Sequence, residues 1–544
     1  MTRKLLLTLS VLLLLAACSK GQKNNAGQAE REVSIKLAHG HELSSYLKSS
    51  VEQFALTNPV LADGSKIKVE LEEGDNVELA NRIAKGFSKP HIWLAPSTSL
   101  VQYVNSSTTN LGAKQANCKA LFGTPVVLAT KKTNQKLFLA NDQTLSWDEL
   151  FELKLKSENK AGVDEYVSLI HASPNHSITG LPAIIELAYL AAYKQKTILD
   201  LDTLRSGATS RLLKEYENEV GIYSADDTFL LNRVAAKSAK RARITFTTEQ
   251  QVALYNASLP AKSEELVAIY PRGGSYWMDY SICQSQATWV TTAEKAAIQK
   301  FIDFISGKDA QFAAKRIGMR PAIVEFENVA PLTAKYGIDL SKPEKSLLPV
   351  PGQVVSYLLD KWEEFKRPAA TVLALDTSAS MEGEAAYTSM ELLRKLVAKA
   401  NRNNLFNLVT FSSDSIRSGE FSSDARKLIN AINSIRIIGG SAVYDGINTA
   451  FTAVTDSKLK KYRKNIVVIS DGGDINSRIS LRRLLDIASN AAAAHEINLF
   501  LIAVKTDQNS FKDLKSINSA ADGIYFEVAP SGLYGVFEEI KKHL

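Results

Sequence analysis

Thr371-Val-Leu-Ala-Leu-Asp376-Thr-Ser378-Ala-Ser380-Met381 joins an apolar, β-rich run to an acid, with hydroxyls at the next two alternate positions. At the carboxyl end of a parallel strand, this places Asp376, Ser378 and Ser380 on one loop above the sheet. Open α/β sheets hold their ligands there. Oxygen donors with few negative charges suit a hard divalent ion that keeps part of its water, so Mg²⁺ before Zn²⁺. Ser-rich segments beside an Asp also occur in ordinary turns, so the loop alone decides little.

Two segments downstream add donors. Gly439-Gly440-Ser441-Ala-Val-Tyr-Asp445-Gly opens a helix and offers Ser441, with Asp445 behind it. Lys464-Asn-Ile-Val-Val-Ile-Ser470-Asp471-Gly472-Gly473-Asp474 is a second apolar strand ending in an acid. Strand-like runs at 370–376, 405–411, 465–470, 497–504 and 523–528 alternate with helix-like runs such as 384–401. That alternation predicts a doubly wound, Rossmann-like parallel sheet over 367–544, covered on both faces.

In order and spacing these segments resemble the von Willebrand factor A (VWA) domain with its metal-ion-dependent adhesion site. The resemblance implies that Asp376, Ser378 and Ser380 are first-loop ligands, that Ser441 takes a position usually held by Thr, and that Asp471 is the distal acid. Ser441 keeps the hydroxyl but lacks the methyl that restricts its rotamer. The implied ion is Mg²⁺, with Mn²⁺ or Ca²⁺ as substitutes. The implied partner is a protein whose carboxylate replaces one metal-bound water.

The other end of the chain carries an address. Arg3 and Lys4 precede an apolar run at 5–15, and Ala16-Ala17-Cys18 follows. A run this short, with small residues at its end, reads as a secretory signal over 1–17 rather than a spanning helix. It resembles a bacterial lipobox, which implies cleavage before Cys18 and lipid attachment to it. In a double-membrane bacterium, that resemblance favours the outer membrane facing the periplasm. Residues 18–32 are small and polar, a flexible tether.

The chain has 544 residues, 45% hydrophobic and 23% charged, which is ordinary for a globular protein with several compact units. Losing Arg3 and Lys4 with the leader lowers the formal charge from +7 to +5. With no dense Lys/Arg block, nucleic-acid binding has no support. No G-x-S-x-G elbow, H-E-x-x-H, P-loop or G-x-G-x-x-G after a strand occurs, so the chain reads as a binding protein and not an enzyme.

Residues 33–345 resemble the extracellular solute-binding proteins of the two-lobed, periplasmic-binding type. The resemblance rests on spread segments. These include Lys89-Pro-His-Ile-Trp93-Leu-Ala-Pro96-Ser97, Leu121-Phe-Gly-Thr-Pro125, Ile170-His-Ala-Ser173-Pro174-Asn175-His-Ser177-Ile-Thr179-Gly180 and Phe246-Thr247-Thr248-Glu249-Gln250. It implies a cleft between two hinged lobes that closes on a small molecule. Ser44, Ser45, Ser97, Thr98, Ser177, Thr179, Thr247 and Thr248 are the candidate cleft residues, at helix starts where N–H groups hold polar oxygens. Each is also a favoured helix cap. His39, His41, His171 and His176 fall at the same strand ends and read as solvated or hydrogen-bonding rather than metal-chelating, since no H-x-x-x-H pair supports them.

The resemblance further implies crossovers near 118–130 and 278–290 that run side by side. Cys118 and Cys283 are therefore expected to form a disulfide across the hinge in an oxidising compartment, with two separate buried thiols as the alternative. Residues 341–351, rich in Lys, Pro and Ser, read as a linker. Over 353–366, Val354, Val355, Leu358, Leu359, Trp362 and Phe365 recur at helical spacing, so 346–366 is expected to be a linker and an amphipathic helix. The whole chain thus reads as a lipid-anchored envelope scaffold that binds a protein through Mg²⁺. The alternative is a solute receptor for an ABC-type importer, with the VWA domain as accessory.

Overall fold

Apolar runs bounded by polar loops form three sheets, with helices on their faces. The computed structural model describes residues 31–108, 114–139, 145–152, 166–236, 241–260, 263–323, 327, 329–413, 416–505 and 511–544. The leader, Cys18 and most of the tether lie outside the described residues.

The first lobe holds β1 (Glu32–Gly40), β2 (Lys66–Gly74), β3 (Ile92–Ala95), β4 (Gln115–Ala120) and β11 (Ser281–Ser285), in the order β2-β1-β3-β11-β4. Its first three strands run parallel, and α1 (Ser44–Leu56), α2 (Asn76–Ala84) and α3 (Thr98–Ser107) follow them in turn. The second lobe is built on β5 (Phe122–Lys131), β6 (Tyr166–Ala172), β7 (Val220–Ser224), β8 (Arg241–Thr248) and β10 (Trp277–Met278), in the order β10-β5-β8-β6-β7. β9 (Leu266–Ile269) and β12 (Arg320–Pro321) also pair with β5. Helices α4 (Gly180–Lys194), α5 (Ala208–Glu217) and α6 (Asp227–Ala235) belong to this lobe.

Cys118 and Cys283 are bonded, with an S–S distance of 2.03 Å. The pairing matches the expectation, but its place differs. Cys118 lies on β4 and Cys283 on β11, neighbouring antiparallel strands of the first lobe. The bond staples the two crossover strands to each other and does not span from lobe to lobe.

Residues 341–351 are not a free linker either. Ser275 donates its N–H to the Lys345 carbonyl (3.1 Å) and accepts from Leu347 N (2.9 Å), while the Tyr189 hydroxyl donates to Leu348 O (2.8 Å). Composition suggested a tether, yet backbone groups of this segment find partners on the hinge and α4. The chain then enters α7 (Gly352–Phe365), which buries Val354, Val355, Leu358, Trp362 and Phe365 as the helical spacing predicts. Apolar residues from both lobes and from α7 share one continuous core, while a second cluster around Val127, Ile170, Ile222 and Leu230 belongs to the second lobe alone.

The C-terminal sheet contains β13 (Ala369–Asp376), β14 (Leu405–Phe411), β15 (Ile416–Ser418), β16 (Arg463–Ser470), β17 (Ile497–Val504) and β18 (Ile524–Val528). Its order is β15-β14-β13-β16-β17-β18, parallel except for β15 at the edge. Every residue of β13, β16 and β17 is buried, because helices cover both faces. On one face lies α8 (Glu384–Lys399), and on the other α9 (Val443–Val454). The chain closes with α10 (Leu533–His543), packed beside α8.

This domain docks on the second lobe by the amino ends of its strands. Arg233 of α6, only 2% exposed, donates to the carbonyls of Ala521 (2.9 Å), Asp522 (2.8 Å) and Ile497 (2.9 Å). The Arg463 guanidinium lies 4.7 Å from the Tyr223 ring centre, and Ala225 N donates to His543 Nδ1 at 3.2 Å. Arg233→Ala strands three carbonyls at this junction. It should cost roughly 3 kcal/mol, the range for breaking a buried charged contact. Scanning calorimetry is expected to show the C-terminal domain melting apart from the lobes. An unchanged single transition would contradict this reading of the junction.

Candidate functional sites

The acid ending β13 sits where the strand order reverses, since β14 lies on one side of β13 and β16 on the other. That reversal opens the crevice in which doubly wound sheets take ligands. Asp376 and Asp471 flank it, both buried.

Asp376 is held from three directions. Its Oδ1 accepts the Ser378 N–H at 3.0 Å, and its Oδ2 accepts from Ser441 Oγ at 3.1 Å and Ser470 Oγ at 2.7 Å. Ser378 Oγ lies 3.0 Å from Ser380 Oγ. Ser380 reaches the exposed surface, whereas Ser378 and Ser441 are buried. Burial raises the Asp376 carboxyl above its ordinary range and the neighbouring Asp471 charge adds to this, while the Ser470 and Ser378 hydrogen bonds oppose it.

The loops are tied to one another by backbone hydrogen bonds. Ala379 N donates to Gly439 O at 2.9 Å, Ile438 N to Thr377 O at 2.9 Å, and Ile475 N to Ser441 O at 3.0 Å. Asp445 accepts the N–H groups of Arg478 (2.9 Å) and Ile479 (3.1 Å), so it fastens the loop after β16 instead of facing the crevice. Sequence reading had not singled out Ser470. The parallel register pairs Leu375 with Ile469, which sets Ser470 beside Asp376, and that register was its only signal. Ser470 Oγ also accepts the Gly472 N–H at 3.0 Å, so one hydroxyl orients both the acid and the glycine turn after Asp471.

The inter-lobe cleft is a different matter. One space between the lobes, bounded by α3, α4 and the crossover at Tyr276 and Met278, measures about 10 Å³. That is about the room one water occupies. Ser97 and Ser177 line it together with the apolar Leu100, Ile178, Leu181, Ile185 and Met278, which leave it narrow. Several polar groups around it are already engaged by carboxylates of the chain itself. Asp279 accepts the Thr98 N–H at 2.8 Å and its hydroxyl as well. Asp227 takes the hydroxyls of Ser177 (2.7 Å) and Thr179, and burial pushes its carboxyl up to about 6. Glu42 accepts from Asn76 Nδ2 at 3.1 Å and from the Tyr280 hydroxyl at 2.8 Å.

The remaining candidates lie apart from that space. Ser44 and Ser45 sit in the first turn of α1, with Ser45 exposed. Thr247 bonds Gln251, and Thr248 caps the helix Glu249–Ser258. His39 and His171 are buried, each with Nδ1 donating to the next carbonyl at 2.8 Å, and His41 pairs with Glu73. Among the described residues, no group of three or more His, Cys, Asp or Glu side chains gathers to hold a metal. A larger recess of about 590 Å³ lies on the hinge flank beside Phe122, Trp277 and Arg320, where Glu249 already holds the Arg320 guanidinium.

Residues 36–320 match the bacterial extracellular solute-binding proteins, and the chain belongs to that family. Residues 371–473 match the von Willebrand factor type A domain. Both are binding domains rather than enzyme families, and the first is extracellular. Among the described residues, no helix is long and apolar enough to cross a membrane. No curated protein matches the chain.

Three solved structures are similar in part. The conserved hypothetical protein BatB from Bacteroides thetaiotaomicron is 20% identical over 32% of this chain and 98% of its own, with a TM-score of 0.27. An ABC transporter structure from Clostridium perfringens is 15% identical over 61% of this chain and 98% of its own, with a TM-score of 0.39. A periplasmic thiamin binding protein is 14% identical over 62% of this chain and 98% of its own, with a TM-score of 0.41.

A buried acid at the cleft generates a test. Glu186 on α4 accepts the Tyr276 N–H at 2.7 Å through Oε1, while Oε2 has no hydrogen-bond partner among the described residues. Burial pushes its carboxyl up to about 8 from an ordinary 4.5. The folded chain therefore keeps a proton that the unfolded chain releases above its ordinary value. Stability is full below that value, falls by about 1.4 kcal/mol per pH unit as pH rises toward the folded value, and then levels. Glu186→Gln keeps the acceptor for Tyr276 and should abolish this decline, gaining a few kcal/mol at pH 9. Urea unfolding of both proteins at pH 5 and pH 9 checks it, and parallel pH profiles would refute it.

Proposed function

We propose that this chain is a lipid-anchored cell-envelope scaffold whose VWA domain binds a protein partner through Mg²⁺. The observation that carries the reading is the gathering of five oxygen-bearing side chains at the carboxyl ends of β13 and β16. These are Asp376, Ser378, Ser380, Ser441 and Asp471. Two carboxylates and three hydroxyls form an all-oxygen set of low charge, which suits Mg²⁺, Mn²⁺ or Ca²⁺ and not a thiolate- or imidazole-seeking ion. When bound, the ion supplies a position for a carboxylate of the partner.

The chain's own groups do the rest. Asp376 and Asp471 bring the negative charge, whose joint burial a bound cation would offset. Ser378, Ser380 and Ser441 add neutral donors from two loops that are bonded to each other. Ser470 holds Asp376 from outside the ligand set, a positioning role of the kind that orients metal ligands in general.

Orientation supports the same reading. The domain docks on the second lobe by the amino ends of its strands, so the parallel sheet aims the opposite, carboxyl ends away from the lobes. Cys18 would anchor the other end of the chain. Solute delivery to an ABC-type importer is the second reading, favoured by the family match over 36–320 and weakened by the filled cleft.

Asp376→Ala should remove Mg²⁺ binding and partner capture together while leaving the fold intact. Ser470→Ala should weaken Mg²⁺ affinity by roughly 10- to 100-fold, the usual penalty for losing a group that orients a ligand. Titration calorimetry with MgCl₂ reads the first effect, and pull-down from envelope extract with and without Mg²⁺ reads the second function. Partner retention in EDTA, or by Asp376→Ala, would sink the proposal.

A further inference from the structure

We propose that α7 is an intramolecular clasp that holds the two lobes shut, so that this solute-binding module serves as a closed platform and admits a solute only when the clasp is released. α7 and the segment before it attach to both lobes, far from the loop of Asp376.

One end of the clasp is fixed to the first lobe. Val350 donates its N–H to Ser99 Oγ at 2.8 Å, and both residues are buried. Gly352 then lies so close to α3 that a side chain there would run into the Gln102 carbonyl and the Ser106 hydroxyl. Glycine is required for that approach of backbone to backbone.

The other end is fixed to the second lobe. Trp362, 1% exposed, meets the Tyr223 ring edge-on at 5.1 Å between centres and the His171 ring at 5.8 Å. Midway, the Tyr357 hydroxyl lies 3.4 Å from Ser210 Oγ on α5. A rigid helix anchored on α3 at one end and on β6 and β7 at the other opposes separation of the lobes.

The cleft beneath is built as an interface, not as a vacancy. A hinged binding module gains its closing force from the solute it encloses. Here groups of the chain itself make the contacts between the lobes. Apolar side chains from both lobes meet across about 10 Å³, and Asp279, Asp227 and Glu42 satisfy the donors that an anionic or hydroxylated solute would otherwise approach. The disulfide between β4 and β11 adds a staple at the crossovers on the first-lobe side.

Gly352→Val tests the clasp, because it pushes α7 off the first lobe and leaves the Trp362 anchor untouched. Hydrogen exchange of the full chain should show residues 97–101 and 178–185 strongly protected in the wild type. In the variant, exchange at these segments should rise at least tenfold while β13 and β16 stay protected, and the radius of gyration from solution scattering should grow. Ser99→Ala, which removes only the Val350 anchor, should give a smaller rise and serves if Gly352→Val fails to fold. Wild-type exchange at the two segments as fast as in surface loops would overturn the proposal. So would unchanged protection in a folded Gly352→Val chain, or in Ser99→Ala if that is the only folded variant.

Discussion

The buried guanidinium of Arg233 sets the geometry on which the rest of the molecule depends. It meets three carbonyls at the amino ends of β17 and β18, and so fixes which pole of a parallel sheet faces the lobes. In a parallel sheet, the amino ends of all strands share one edge and the carboxyl ends the other. Docking by one edge therefore presents the loop of Asp376, Ser378 and Ser380 at the far side. A charge this deeply buried is tolerable because it donates to three oriented carbonyls, one at the start of β17 and two just before β18, with the Asp522 carboxylate 3.9 Å away. The arrangement joins two modules into one body with the crevice of Asp376 facing outward.

Much of the C-terminal domain was legible in the sequence, for a physical reason. Strands buried on both faces are apolar over most of their length, so β13, β14, β16 and β17 stood out within a residue or two of their ends. The edge strand β15 is three residues long and antiparallel, too short for any pattern. Ser470 was hidden differently. It lay within a quoted strand, but its importance comes from register against β13, and register is a relation between distant segments. Asp445 was the reverse case, an acid near the crevice whose oxygens are committed to the loop after β16.

The solute-binding module shows where composition misleads. Lys, Pro and Ser at 341–351 suggested a tether, yet that segment is bonded to the hinge and both lobes, since its hydrogen-bond partners are supplied by distant residues. Ser97 and Ser177 line the narrow space between the lobes, but nothing in their sequence signalled that Asp279, Asp227 and Glu42 bond groups around it. Local sequence can nominate polar groups. It cannot say that the chain answers them itself.

The two-lobed module carries an oxygen-lined crevice that faces away from it, and the proposed function requires this crevice to hold a divalent cation. Anomalous diffraction from crystals soaked in MnCl₂ tests that requirement most directly. The proposed function predicts one strong manganese peak within bonding distance of Asp376, Ser378, Ser380 or Ser441, on the side facing Asp471. Well-ordered crystals with these side chains hydrogen-bonded to one another and no manganese among them would contradict it.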